Sequence, residues 1–230
     1  MSKSGYYNSP WPGEDGSARR LQIPNDLTGL NIGEDDQANT TIRRLWWDFG
    51  NMVVLSEKEA WFLDHGKHTY QFQMIGAGVS KNPINFIRVS LTDASDTTIQ
   101  AVSGIPKGTV TNPPLFAEDR QILIIYDSGN SVIRALKYKK DSKTFEELWK
   151  KEDFGCSSHM IYYPNTGELC TNDYKTFTGD SSVVLDIETG EEKFRTKLRN
   201  IFQGVVFPSP GWNRDYYYLT LDSLVRVSLE

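Results

Sequence analysis

Cysteine is scarce in this 230-residue chain, with two copies, and histidine has three. Neither a disulfide framework nor a cysteine- and histidine-rich metal site organises it, since no Cys-x-x-Cys or His-x-x-x-His spacing occurs. Cys156 and Cys170 flank the turn residues Pro164-Asn165-Thr166-Gly167. If Tyr163 pairs with Glu168 across that turn, Cys170 faces Ile161 and Cys156 faces Lys175, so both are read as free thiols. No apolar run approaches the roughly 18–20 residues of a membrane span. Met1 to Gly5 is not followed by a signal-peptide core, so the chain is expected in the cytoplasm, or outside it if a leader is missing from this sequence. A basic footprint is lacking too: 25 Lys and Arg against 30 Asp and Glu give a net charge of −5, with the positive residues scattered. Nucleic acid and anionic membranes are therefore disfavoured as partners.

What is present is repetition. Thr41-Ile42-Arg43-Arg44-Leu45-Trp46 reads again as Thr98-Ile99-Gln100-Ala101-Val102-Ser103, as Thr144-Phe145-Glu146-Glu147-Leu148-Trp149 and, more loosely, as Thr189-Gly190-Glu191-Glu192-Lys193-Phe194. The threonines are 57, 46 and 45 residues apart. A second phrase precedes three of these copies. Phe86-Ile87-Arg88-Val89-Ser90-Leu91 returns as Val132-Ile133-Arg134-Ala135-Leu136 and as Leu224-Val225-Arg226-Val227-Ser228-Leu229, with Ser182-Val183-Val184-Leu185-Asp186 in the remaining slot. Self-similarity at this period marks stacked supersecondary units.

From Thr40 onward the apolar residues come in runs of five to eight, rich in Val, Ile, Leu, Tyr, Phe and Trp and separated by Asp, Gly, Asn and Ser. These are strand signals, and the two phrases read as adjacent antiparallel strands. Only 143–151 approaches a helical pattern, and its place inside the repeat makes it a strand. Two more strands fit ahead of the phrases: 114–117 and 122–126 in the second unit, 159–163 and 168–172 in the third, 204–207 and 216–221 in the fourth. Four antiparallel strands per unit of about 45 residues describe an all-β chain, a β-propeller of about four blades with the first strand of each inside and the fourth at the rim. The units are 51–103, 108–152, 156–198 and 203–230, the first carrying an inserted loop at about 65–83. Residues 1–39 form an irregular N-terminal segment. The fourth unit lacks a rim strand, and 40–48 is a rim strand without a blade. Either the two pair and close a small ring, or the chain is half of a larger propeller and is expected to self-associate.

Val184-Leu185-Asp186-Ile187-Glu188-Thr189-Gly190-Glu191-Glu192-Lys193-Phe194 resembles the PQQ-type repeat of the quinoprotein-like propellers, whose blades carry a hydrophobic-Leu-Asp-x-x-Thr-Gly-x-x-x-Trp/Phe stretch. Phe145–Trp149 and Ile42–Trp46 resemble its Leu-Trp end. The resemblance spans about residues 40–230 and implies the fold. The family's enzymes are more than twice as long, hold Ca2+ beside the quinone and commonly carry vicinal cysteines. Cys156 and Cys170 are not vicinal, and other members of the family are non-catalytic scaffolds.

Propeller ligands sit over the central channel, held where the innermost strands begin. Those positions are Asn51, Asn112, His159 and Gln203, one polar residue per unit. They suit a small polar ligand or, with added carboxylates, a divalent ion such as Ca2+, although narrow channels are commonly just polar and wet. His159 has no acidic residue placed by spacing to orient it as a base, and His65 and His68 have no evident third ligand. No catalytic or metal-binding residue is assigned. The expected function is a non-enzymatic module that binds a protein or small polar ligand. The alternative is a metal-dependent, lactonase-like propeller hydrolase or a degenerate quinoprotein dehydrogenase. Trp46, Trp149 and Phe194 are expected to pack between blades.

Overall fold

The computed structural model describes residues 49–56, 59–64, 85–90, 97–101, 114–127, 131–155, 160–173, 180–198, 205–208, 215–219 and 223–229. The described elements are fifteen strands and a one-turn 3-10 helix at Glu118–Arg120. The first sheet holds β1 (Phe49–Ser56), β2 (Glu59–Asp64), β3 (Asn85–Ser90) and β4 (Thr97–Ala101). The second holds β5 (Leu115–Ala117), β6 (Ile122–Asp127), β7 (Val132–Lys139) and β8 (Thr144–Lys151). The third holds β9 (Ile161–Tyr163), β10 (Glu168–Asp173), β11 (Asp180–Asp186) and β12 (Glu192–Leu198). The fourth holds β13 (Val205–Pro208), β14 (Tyr216–Leu219) and β15 (Leu224–Val227). Each sheet is a meander whose neighbours in sequence are neighbours in space and run antiparallel. Successive meanders stacked on one another are the blades of a β-propeller.

Burial sets the direction of each blade. In the third sheet β9 and β10 are buried throughout, whereas β12 is largely exposed or half-buried; β8 is likewise open to solvent at the second sheet. The first strands β9 and β13 approach each other, which places first strands inside and fourth strands at the rim. Alternation along the strands gives the third sheet two apolar faces. Ile124, Tyr126, Ile133 and Ala135 of the second sheet meet Met160, Tyr162, Leu169, Val183 and Leu185 of the third. On the opposite face of the third sheet, Ile161, Tyr163, Cys170 and Val184 meet Tyr216, Tyr218 and Val227 of the fourth. Burying both faces of a sheet explains why β10 reads as a continuous buried run.

The repeated rim phrase carries a repeated irregularity. Trp149 pairs with Ala135 and the next pairing joins Leu136 to Glu147; Phe194 pairs with Val184 and the next joins Leu185 to Glu192. Leu148 and Lys193 are thus bulge residues, one before each aromatic, and a bulge re-aims the side chain that follows it. Trp149 packs against the core shared by the second and third sheets, and Phe194 against that shared by the third and fourth. The expected interblade packing of these two residues is therefore present. Trp46 lies outside the described residues.

The register expected at the third hairpin holds: Tyr163 pairs with Glu168 and Ile161 with Cys170, which is buried and not in a disulfide. Cys156 lies outside the described residues. One part of the repeat does not carry through. Arg134, 5% exposed, is on the face of its sheet away from the third sheet, whereas Arg226 is on the face of β15 away from the third sheet in the other direction round the blades. A shift of one residue exchanges the faces of a strand, so the matching arginines are not equivalent. Arg134 bonds Glu147 at 2.5 Å, and Arg226 holds Asp215 in an ion pair.

The Asp186–Gly190 turn shows why the Leu-Asp-x-x-Thr-Gly stretch has its composition. The Asp186 carboxylate accepts from the Glu188 and Thr189 N–H groups at 2.9 and 3.0 Å, and Gly190 closes the turn at φ +72°. Burial opposes the Asp186 charge, but the Lys193 ammonium at 2.8 Å and those two amides outweigh it and hold the carboxyl below the usual aspartate range. A depressed pKa contributes stability that is present above the unfolded value and lost as pH falls through the folded one. Chemical denaturation between about pH 5 and pH 2 is therefore expected to show a loss of stability that is smaller in Asp186→Asn.

Candidate functional site

The innermost strands begin at the same end of the blades as the loops joining second to third strands. At that end Asn51 is the third residue of β1, not its start. Asn112, His159 and Gln203 lie outside the described residues. The polar groups that the structure does place there belong to second and third strands.

Two networks cross between blades. The first joins the second sheet to the third. Tyr126 is fully buried at the end of β6, and its hydroxyl donates to the Gly155 carbonyl and, at 3.4 Å, to the Asn172 carbonyl. Gly155 in turn donates its N–H to Asp173 Oδ1 at 2.7 Å, while Asp173 Oδ2 takes Arg195 Nη1 at 2.9 Å. Arg195 is also clamped by Glu192 at 2.7 and 2.8 Å, so hydrogen bonds with both acids raise its pKa above an already high value. The segment entering the third blade is held to the end of β10 through a carboxylate, and Phe154 beside it meets the Tyr126 ring edge-on at 6.1 Å.

The second network joins the third sheet to the fourth. Ser182 Oγ lies 2.6 Å from Tyr216 Oη and donates to Tyr218 Oη at 3.3 Å; Tyr218 donates to the Thr171 carbonyl at 2.5 Å. Tyr163 donates to the Asp215 carbonyl at 2.8 Å. Burial pushes the Tyr163, Tyr216 and Tyr218 phenols far above their ordinary range, so all three are neutral donors across the physiological range. Beside them Asn172, paired in register with Ser182, is 0% exposed, and among the described residues neither its Oδ1 nor its Nδ2 has a hydrogen-bond partner.

The other end of the blades is stapled differently. Arg120, from the 3-10 turn, donates through Nε to the Tyr162 hydroxyl at 2.5 Å and through Nη2 to the Pro164 carbonyl at 3.2 Å. The Tyr162 hydroxyl in turn donates to Asp119 Oδ2 at 2.9 Å. Gly167 sits at φ +69°, where a side chain is strained, and an added Cβ would stand 3.2 Å from that guanidinium.

The described residues thus supply neutral hydroxyls, an amide and engaged ion pairs. Among them no group of three or more His, Cys, Asp and Glu is placed to hold a metal ion. No described helix is long and apolar enough to cross a membrane. Sequence reasoning missed Tyr126, Asn172, Asp173 and Ser182 because it looked to first strands. A signal was available in the aspartates that close second strands at Asp64, Asp127 and Asp173.

No family model matches this sequence, and no curated protein matches it. Among solved structures, an oligogalacturonate lyase in complex with manganese is similar at 10% identity and TM-score 0.43, over 71% of this chain and 42% of that one. The acylaminoacyl peptidase of Pyrococcus horikoshii is similar at 8% identity and TM-score 0.45, over 78% of this chain and 32% of that one. The β-propeller domain of the trilobed protease of Pyrococcus furiosus is similar at 8% identity and TM-score 0.40, over 80% of this chain and 58% of that one. This chain spans less than two thirds of each.

Proposed function

We propose that the chain is a PQQ-like β-propeller module that binds a protein partner or a small polar ligand at the end of the blades where the innermost strands begin. The repeat-family part of this reading is supported by the Asp186–Gly190 turn. Trp149 of the preceding blade lies on that turn, donating through Nε1 to the Ile187 carbonyl at 2.9 Å, and an added Cβ on Gly190 would stand 2.7 Å from its ring. The spacing Leu-Asp-x-x-Thr-Gly therefore has a mechanical use: it makes a flat seat for the rim aromatic next door.

The binding part is carried by the chemistry of that end. Its described phenols are neutral donors, Asp173 is committed to Gly155 and Arg195, and Cys170 is buried against the fourth sheet with no adjacent cysteine. These described groups are buried and bonded to one another, so they fix the blades at that end and leave ligand contact to the starts of the first strands. Asn51, Asn112, His159 and Gln203 remain the proposed contacts at the first strands. If the ring of blades is incomplete in this chain, the exposed blade face is covered by self-association, which the solution mass reports.

Native mass spectrometry of the full chain in calcium acetate, followed by the same measurement on the Asn112→Ala/His159→Ala double variant, tests the binding reading. The module reading expects no stoichiometric Ca2+ that depends on those two residues. A single Ca2+ per chain lost in the double variant, together with Ca2+-dependent hydrolysis of a simple lactone, would overturn it in favour of the hydrolase.

A further inference from the structure

The second and third sheets are covered on both faces, and the fourth is not. Leu123 and Ile125, on the face of β6 away from the third sheet, are fully buried, and every residue of β10 is buried. In the fourth sheet Tyr216 and Tyr218 meet the third, so Tyr217 between them on β14 belongs to the outer face, and it is only half-buried. In register with it is Arg226, whose side chain is 60% exposed, and next along that face Leu224 is 66% exposed. An apolar sheet face left open in this way marks an interaction surface. At the other end of the row of sheets, Arg88 and Ser90 lie on one face of β3, and both are buried. The opposite face of that sheet carries Met52, Phe62, Ile87 and Ile99 in a single register row across its four strands.

We propose that two copies of this chain join head to tail, the first sheet of each seated on the fourth sheet of the other, so that the end of the channel where the innermost strands begin is shared between them. The junction continues the sheet-on-sheet contact that already joins the third sheet to the fourth, with an apolar face offered from each side. A two-fold arrangement makes both junctions at once. Twice four sheets then close into a ring of eight, a size that propellers reach, and no open face remains to extend a filament. First strands approach one another between blades, as β9 and β13 do within the chain, so β1 of one copy comes beside β13 of the other. Asn51 on β1 thereby contributes to a site that the second copy completes. Sharing of the site rests on the binding-module reading; the head-to-tail junction does not.

Sedimentation velocity of the full chain is expected to show a dimer. Leu224→Asp is expected to raise its dissociation constant about tenfold or more, because a carboxylate enters an apolar contact. Leu148→Asp, at the other exposed leucine but on the rim bulge of the second sheet, should leave the dimer as it is. Ile87→Asp should dissociate the dimer too, with Ile99→Asp in its place if that variant does not fold. Mixing the Leu224→Asp chain with the first-sheet variant should restore a dimer, weaker than the parent's, since one junction of the mixed pair joins two unaltered faces. A parent that stays monomeric up to its solubility limit, or grows beyond a dimer, would overturn the proposal. So would a dimer that survives the first-sheet substitution, which would mean that fourth sheet meets fourth sheet, and so would two variants that fail to complement. None of these results touches ligand binding by the chain itself, which falls only on the Ca2+ outcome at Asn112 and His159.

Discussion

Replacing Trp149 by alanine is expected to lower the unfolding free energy by about 3–5 kcal/mol, the range for large aromatic deletions at packed sites. The indole is half-buried, so the area lost is not the whole cause. It also gives up the hydrogen bond to the Ile187 carbonyl and uncovers the turn of the next blade. Gly190→Ala is expected to destabilise as well, for two separable reasons. The Cβ would stand 2.7 Å from the indole, and the residue sits at φ +72°, which costs any side chain something like 1 kcal/mol. In a Trp149→Ala background the first penalty disappears and the second stays. Urea denaturation of the four proteins in this cycle should therefore return a coupling of about 1 kcal/mol or more, with Gly190→Ala milder when Trp149 is absent. Additive effects would mean that the aromatic and the turn do not touch.

The second large effect is expected at Asp173. Its carboxylate is 4% exposed and joins the segment entering the third blade to the rim strand of the same blade. Asp173→Ala leaves the Gly155 N–H buried without an acceptor and removes one of the two acids on Arg195. The Arg195 partner is partly open to solvent, so the ion pair is screened and the larger part of the loss comes from the orphaned amide. A cost of about 2–3 kcal/mol is expected, with Asp173→Asn in between because its carbonyl oxygen can still accept from Gly155. Hydrogen exchange offers a readout at the site itself: the Gly155 amide should exchange markedly faster in the alanine variant. Unchanged protection there would show that Asp173 does not hold this segment.

How much of this was legible beforehand varies by residue. Thr144 to Trp149 and Thr189 to Phe194 announce rim strands because a fixed spacing and a terminal aromatic survive in both. Tyr163 opposite Glu168 was legible because a four-residue turn leaves few registers. The bulges at Leu148 and Lys193 were not, since a bulge is a property of the pairing and the partner strand is needed to see it. Arg226 misled for a related reason: a six-residue phrase can match while its register slips by one, and only the sheet face reveals it.

At the candidate site the sequence pointed to the starts of the first strands, whereas the polar networks among the described residues belong to second and third strands. Asp173 and Gly155 are 18 residues apart and meet only because a rim-to-centre crossover brings the chain back past the end of β10. Asn172 carries no signal on its own. It becomes visible when aligned with Tyr126 through the two strand-ending aspartates, and that alignment requires the pairing of each second strand with its third.

The central claim is that the rim aromatic of one blade is seated on the Asp-x-x-Thr-Gly turn of the next. Nuclear Overhauser contacts between the Trp149 indole protons and the Gly190 Hα protons measure this directly. Strong contacts are expected, with a Trp149 Nε1–H that exchanges slowly because it is bonded to Ile187. An indole that shows neither, and whose N–H exchanges at the rate of a solvent-exposed tryptophan, would contradict the stacking of these sheets as blades.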